Sequence, residues 1–279
     1  MTLVKVFVAG VLLAADVAAG AAPPLVGPAS GSLVIVGGSM HHPQIIERFI
    51  ALAGGRSAPI VVVPTALGGD LGDTLDRFGQ LFRAAGVEDV TVVHTRDRQR
   101  ADTEEFTAPL GRARGVWFGG GRQWRLVDAY AGTRAEQAFH DVLARGGVIG
   151  GTSAGATIQG SYLVRGAPEG NAIMMSSGHE KGFGFLRGVA IDQHVIARGR
   201  QKDMIPVIRA HPDLLGIGID EDTALVVHGD EAEVIGSSRV LIYDAARWGR
   251  EAGGDGAPAW ISLRPGDRFD LGTRRRVVP

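Results

Sequence analysis

The stretch Gly147-Val148-Ile149-Gly150-Gly151-Thr152-Ser153-Ala154-Gly155 decides the fold. A short apolar run ends in glycine and G-x-S-x-G follows at once, the pattern of a buried strand turning sharply into a helix with a serine at the tip. A nucleophile at such a tip has strained dihedrals, and glycines on both flanks remove Cβ atoms for which the turn has no room. The same turn aims the Ala154 N–H at an oxyanion forming beside Ser153. A second donor comes from the glycine loop Gly119-Gly120-Gly121, centred on Gly120, after the apolar Val116 to Phe118. A Gly/Ser/Ala segment also lets a helix pack closely on a sheet, so the motif by itself leaves a purely structural reading open.

Outward from the elbow, similar apolar runs recur at Leu33 to Val36, Ile60 to Val63 and Val90 to Val93. Between them lie segments of helical periodicity, notably Ile45 to Leu52, Leu75 to Ala85 and Arg134 to Leu143. Strand alternating with helix predicts an α/β fold whose mostly parallel sheet is flanked by helices on both faces. Beyond about residue 213 the spacing shortens: Leu225 to Val227, Val234-Ile235 and Val240 to Tyr243 are divided by Gly-Asp and Gly-Ser turns. These read as antiparallel C-terminal strands extending the same sheet.

The 279 residues, 45% hydrophobic and 21% charged with 42 glycines, describe a globular, turn-rich chain and exclude a disordered or coiled-coil one. A formal net charge of -1 provides no field to attract nucleic acid, and Arg274 to Arg276 reads as a solvated tail. Residues 1–21 have the grammar of a signal peptide: Lys5, the apolar Val6 to Ala15 and the small residues Ala19-Gly20-Ala21. A linker over residues 22–31 and one serine hydrolase domain over residues 32–279 complete the division, and the predicted location is secreted or periplasmic. With no cysteine, disulfides, thiolate metal sites and a cysteine nucleophile are excluded. His41-His42 is not expected to bind metal, because adjacent side chains diverge and no carboxylate is near in sequence. No cofactor is predicted.

A serine hydroxyl needs a base within hydrogen-bond reach. His194 is the best placed of eight histidines, in Asp192-Gln193-His194 after the apolar Gly188 to Ile191, where a strand end opens onto the sheet's ligand crevice. His179, His211 and His228 also follow Ser153 and stay open as alternatives. The acid that orients the base lies in Gly218-Ile219-Asp220-Glu221-Asp222, where Asp220, Glu221 and Asp222 are equally eligible.

Four blocks now stand in order: Phe118-Gly119-Gly120-Gly121-Arg122-Gln123, Gly151 to Ala156, Asp192-Gln193-His194 with Arg198-Gly199-Arg200, and Gly216 to Glu221. In these blocks the chain resembles the serine peptidase family that includes cyanophycinase and aspartyl dipeptidase, over most of its length from Gly37-Gly38 to about Asp244. The resemblance implies a fold like that of the class I glutamine amidotransferases and a triad of Ser153, His194 and Glu221, with Ser153 forming an acyl-enzyme. That order separates it from ordinary α/β-hydrolases, in which the acid precedes the histidine. The implied substrate is cyanophycin, a poly-aspartate backbone with arginine on each side-chain carboxyl, cleaved to β-aspartyl-arginine. Arg198 and Arg200 would grip a carboxylate bidentately, with Gln123, Asp192 and Gln193 supplying amide and guanidinium contacts. A homodimer is also implied.

Two positions depart from the family pattern. Asp203 stands where another arginine is usual, reversing a charge near the carboxylate grip, and Arg122 stands where an acidic residue is frequent. Three readings therefore compete: an exported cyanophycinase, a dipeptidase for aspartyl or isoaspartyl peptides, and a non-catalytic peptide-binding protein on the same fold.

Overall fold

The computed structural model describes residues 25–69, 71–248 and 259–278. The expected signal peptide at residues 1–21 lies outside the described residues. Of the expected linker, residues 25–31 lie against the body. Asp230 Oδ1 accepts the Val26 and Gly27 N–H groups at 2.7 and 3.1 Å, and Arg187 Nε donates to Leu25 O.

Five parallel strands form the heart of the molecule: β1 (Ser32–Val36), β2 (Ile60–Val63), β3 (Val90–Val92), β4 (Gly115–Phe118) and β5 (Val148–Thr152). They pair in the order β1-β5-β4-β2-β3. Their side chains alternate between two cores. Leu33, Ile35, Val61, Val63, Val116 and Phe118 face one side, while Val34, Val36, Ile60, Val62 and Trp117 face the other. Both faces are buried, which is why these strands read as unbroken apolar runs rather than as alternation. Helix Arg134–Ala144 contributes Phe139 and Val142 to the first core, and helix Pro43–Ala53 contributes Ile45 and Phe49 to the second. Phe49 meets Trp117 edge to face at 5.0 Å. The expected helix over Leu75 to Ala85 is split into a 3₁₀ helix, Gly72–Gly79, and a short α-helix, Gln80–Ala84. The break falls at Gly79, whose backbone entropy disfavours continuing one helix.

The remaining strands are β6 (Gly160–Tyr162), β7 (Leu186–Gln193), β8 (Leu215–Ile219), β9 (Thr223–His228), β10 (Glu231–Gly236), β11 (Val240–Asp244), β12 (Ile261–Leu263), β13 (Arg268–Asp270) and β14 (Arg275–Val277). β9, β10, β13 and β14 extend the first sheet antiparallel from β1, as the sequence predicts for Leu225 to Val227 and Val234-Ile235. Val240 to Tyr243 does not join them. β11 leaves for a second sheet, ordered β12-β11-β8-β7-β6, in which it pairs antiparallel with β8. Gly216 and Gly218 of β8 make the room. A Cβ on Gly216 would stand 3.0 Å from Tyr243 Cβ, and one on Gly218 would stand 3.3 Å from Tyr243 Cε2.

The two sheets end together. In the first, Val36 pairs with Thr152 and Phe118 with Gly151; in the second, Gln193 pairs with Ile219. The residues that follow, Gly37, Gly119, Ser153, His194 and Asp220, therefore leave the strands at one carboxyl edge, the place where open α/β sheets bind ligands.

Candidate active site

Ser153 leaves β5 with φ 56° and ψ -112° and starts helix Ala154–Thr157. The elbow is closed by backbone. A Cβ on Gly151 would overlap the Gly155 carbonyl and one on Gly155 the Phe118 carbonyl, so both flanking glycines are required by close approach. Gly120 lies against the serine: its missing Cβ would stand 3.4 Å from Ser153 Cβ and 3.9 Å from Ser153 Oγ. The preceding Gly119 N–H is engaged by Val63 O at 3.0 Å.

His194 Nε2 is 3.0 Å from Ser153 Oγ, and His194 Nδ1 is 2.6 Å from Glu221 Oε1. Hydrogen bonds to His194 and Ser39 hold Glu221 below the usual carboxylate range, so it is ionised and can only accept. Nδ1 then carries the ring proton, and Nε2 is left to accept from the serine hydroxyl. Burial lowers the His194 pKa below its ordinary 6.5; the Glu221 hydrogen bond opposes this, and the positive charges of Arg198 and Arg200 reinforce it. The imidazole is thus neutral near pH 7, the form that can take a proton.

The three acids that sequence left level are separated by their partners. Asp220 Oδ1 accepts the Ile196 and Ala197 N–H groups and its Oδ2 accepts Ser238 Oγ. Asp222 Oδ1 accepts the N–H groups of His41 and His42, and its Oδ2 accepts Ser237 Oγ. Both fasten loops, and only Glu221 meets the histidine. The alternative histidines are engaged elsewhere: His179 with Asp128, His228 with Gly31 O, and His211 against the Tyr162 ring. His42 caps helix Pro43–Ala53, its Nδ1 accepting from Gln44 N–H.

The positioning comes from a segment whose importance the sequence reading missed, the exit of β1. Three consecutive carbonyls there, Val36, Gly37 and Gly38, accept the N–H groups of Ser153 (3.0 Å), His194 (3.0 Å) and Asp222 (2.8 Å). Gly38 has φ 136°, and a Cβ on it would fall inside the His194 ring's van der Waals envelope. Gly37-Gly38 directly follows the apolar run Leu33 to Val36 in the sequence, which does not show the need for glycine against an imidazole.

Of the five residues expected to touch substrate, Asp192 and Gln123 turn inward. Asp192 is 1% exposed and forms a two-pronged pair with a residue that sequence did not flag, the equally buried Arg165: Nε to Oδ1 at 2.7 Å and Nη2 to Oδ2 at 2.9 Å. Arg165 Nη2 also reaches Asp203 Oδ2 at 2.7 Å, and its Nη1 reaches Asn171 O. Gln123 Nε2 donates to Val164 O at 2.9 Å. Gln193 Oε1 and Arg200 Nη1 are buried without a hydrogen-bond partner, and Arg198 is exposed on the turn that Asp220 holds. Arg122, the other departure, donates to Ala167 O. Among the described residues, six non-glycine positions have positive φ; Ser39, Ser153, His194 and Asp222 are at this site and Arg165 supports it. Strain gathered in this way marks a functional site.

The family model for peptidase family S51 matches residues 32–235. The chain belongs to peptidase family S51. It is a serine peptidase, and a non-catalytic role for the fold is thereby set aside. Curated relatives include the cyanophycinase of Geminocystis herdmanii, 33% identical over 76% of this chain and 80% of that one. Another is the cyanophycinase of Synechococcus elongatus, 35% identical over 77% of this chain and 68% of that one. Among solved structures, a peptidase from an acI-B1 actinobacterium superposes with a TM-score of 0.65 at 23% identity, covering 86% of this chain and 97% of that one. A putative peptidase E protein of Listeria monocytogenes gives 0.54 at 16% identity, covering 75% and 100%. At those identities the two structures speak to the shared fold alone. Among the described residues no helix is long and apolar enough to cross a membrane, and no cluster of three His, Asp or Glu side chains is placed to hold a metal ion.

Proposed function

We propose that this peptidase is an exported cyanophycinase that hydrolyses the poly-aspartate backbone to β-aspartyl-arginine, leaving the β-aspartyl link intact, through an acyl-enzyme on Ser153. The observation that carries the reading is the line Glu221 Oε1, His194 Nδ1, His194 Nε2, Ser153 Oγ, with successive hydrogen bonds of 2.6 and 3.0 Å and the serine at a strained elbow. Ser153 Oγ attacks the scissile carbonyl while its proton passes to His194 Nε2, and Glu221 stabilises the resulting imidazolium. The Ala154 and Gly120 N–H groups receive the oxyanion. His194 then protonates the leaving amine. In the second half-reaction water gives a proton to His194, its oxygen bonds to the acyl carbon, and Ser153 leaves as the alcohol. Arg198 and Arg200 supply donors for a substrate carboxylate. The polymer as substrate is supported by the curated relatives, which are named cyanophycinases. Export rests on the leader grammar of residues 1–21, and a homodimer on the family resemblance.

A second reading, a dipeptidase for short isoaspartyl peptides, is favoured by Asp203, which replaces a usual arginine next to the carboxylate grip. Purified cyanophycin is the discriminating substrate. Release of β-aspartyl-arginine is expected from the mature protein, falling by at least about four decades in Ser153→Ala. Absence of release, with activity on short isoaspartyl peptides that Ser153→Ala loses, would keep the nucleophile and sink the polymer assignment.

A further inference from the structure

Five carboxylates surround the site, and their oxygens are not equally occupied. Glu221 serves His194, Asp220 and Asp222 each accept from three groups, and Asp192 accepts from both prongs of Arg165 and from the Gln193 N–H. Asp203 differs. Its side chain is 40% exposed where Asp192 is 1% exposed, and Arg165 Nη2 bonds Oδ2 while Oδ1 accepts no hydrogen bond among the described residues. It occupies the N-cap position of helix Met204–Ala210 yet makes no side-chain capping bond, so the helix is not what holds it. Arg165 bridges the two carboxylates, and Arg200 lies within electrostatic reach of both, so side-chain charge and not the helix sets the place of Asp203.

The surrounding polar atoms point to a ligand of both signs. Gln193, 3% exposed and in sequence between Asp192 and His194, leaves Oε1 buried without a donor, and Arg200 leaves Nη1 buried without an acceptor. Asp203 is chained to the same segment, its N–H donating to Arg200 O at 3.0 Å. The segment from Gln193 to Asp203 thus carries a half-exposed acid, a buried acceptor without a donor and two arginines, a set that suits a ligand bearing both a multi-donor cation and a carboxylate. An arginine residue with a free carboxylate has both, and its planar fork can use two acceptors at once.

Resting on the β-aspartyl reading above, we propose that Asp203 is the specificity-determining acid of this chain, receiving the guanidinium of a β-aspartyl-arginine unit while Asp192 only braces it through Arg165. The substitution of acid for arginine at position 203 then sharpens the selection for an arginine-bearing aspartyl unit.

The test compares β-aspartyl-arginine with β-aspartyl-citrulline, which is neutral and nearly the same shape. Binding of each is measured by calorimetry on Ser153→Ala and on that protein carrying Asp203→Asn or Asp203→Glu. A preference for the arginine ligand of about tenfold or more is expected, as for a charge-assisted hydrogen bond. It should collapse in Asp203→Asn with citrulline binding unchanged, and return in part in Asp203→Glu. A preference that survives Asp203→Asn, or an equal loss for both ligands, overturns the inference and leaves the β-aspartyl reading intact. If neither ligand binds, both fall together.

Discussion

The line Ser153, His194, Glu221 and the segment Arg198 to Asp203, proposed for catalysis and for recognition, are held in different ways. Ser153, His194 and the Glu221–Asp222 step hang from three successive carbonyls of the β1 exit, so main chain fixes where they stand. The segment from Arg198 to Asp203 closes on its own backbone turns, but side-chain charge ties it to the body: Arg165 joins Asp192 to Asp203, and Asp220 holds the turn that carries Arg198. Backbone positioning survives most surface substitutions. Charge positioning does not, since one residue exchanged at position 203 changes what the neighbouring acids are free to do. Within one fold the chemistry is therefore conservative and the selectivity open to change.

The sharpest way to break the catalytic half is Glu221→Gln. It leaves the shape but removes the carboxylate that fixes the Nδ1–H tautomer, and loss of the orienting acid in such a triad costs about three to four decades in kcat. The variant also makes a claim on pH. Glu221 opposes the fall of the His194 pKa, so without it the pKa drops further, and the acid limb of kcat/KM moves to lower pH even as the plateau falls. A full pH–rate profile checks both, and a limb moving to higher pH would mean that Glu221 does not face the imidazole in solution.

A smaller loss is expected from Gly38→Ala, which touches no reacting atom. The added methyl must displace the His194 ring from a position with φ 136° behind it, and a misplacement of about 1 Å costs on the order of a hundredfold in rate. The loss should fall on kcat, with secondary structure by circular dichroism unchanged. Activity within about twofold of the parent would show that the β1 exit is not what holds the imidazole.

What could be read in advance follows the same division. The elbow was legible because its requirements fall on adjacent residues: an apolar strand, then glycines where Gly155 and Phe118 carbonyls leave no space. The parallel strands were legible because burial on both faces writes continuous apolar runs. The departure of β11 to the second sheet was not, since Val240 to Tyr243 has the same pattern whichever sheet receives it, and the decision lies in the room left by Gly216 and Gly218. Three consecutive acids announced a candidate partner for the histidine without saying which; they lie on a turn, with Asp222 at φ 51°, so no strand or helix period decides which one faces His194. Arg165 was hidden most deeply. Its partners lie 27 and 38 residues away, and in the apolar context Leu163-Val164-Arg165 nothing local separates a buried cation from a surface one.

The subtlest contrast is where the two regions meet, at Arg198. Its side chain is exposed, yet its charge acts on His194 and lowers that pKa by disfavouring the imidazolium. Arg198→Gln removes the effect, so the His194 pKa rises and the acid limb of kcat/KM moves to higher pH, because the neutral base forms later in the titration. Loss of the guanidinium fork should also raise KM for a carboxylate-bearing substrate by about tenfold. Arg198→Lys divides the two roles: the charge remains and the limb stays put, while the fork is gone and KM still rises. Raising the ionic strength should move the limb of the parent in the direction of Arg198→Gln, since an exposed charge is screened. If KM and the pH limb instead shift together in both variants, Arg198 acts by shaping the turn, and recognition here is as much a matter of backbone as catalysis is.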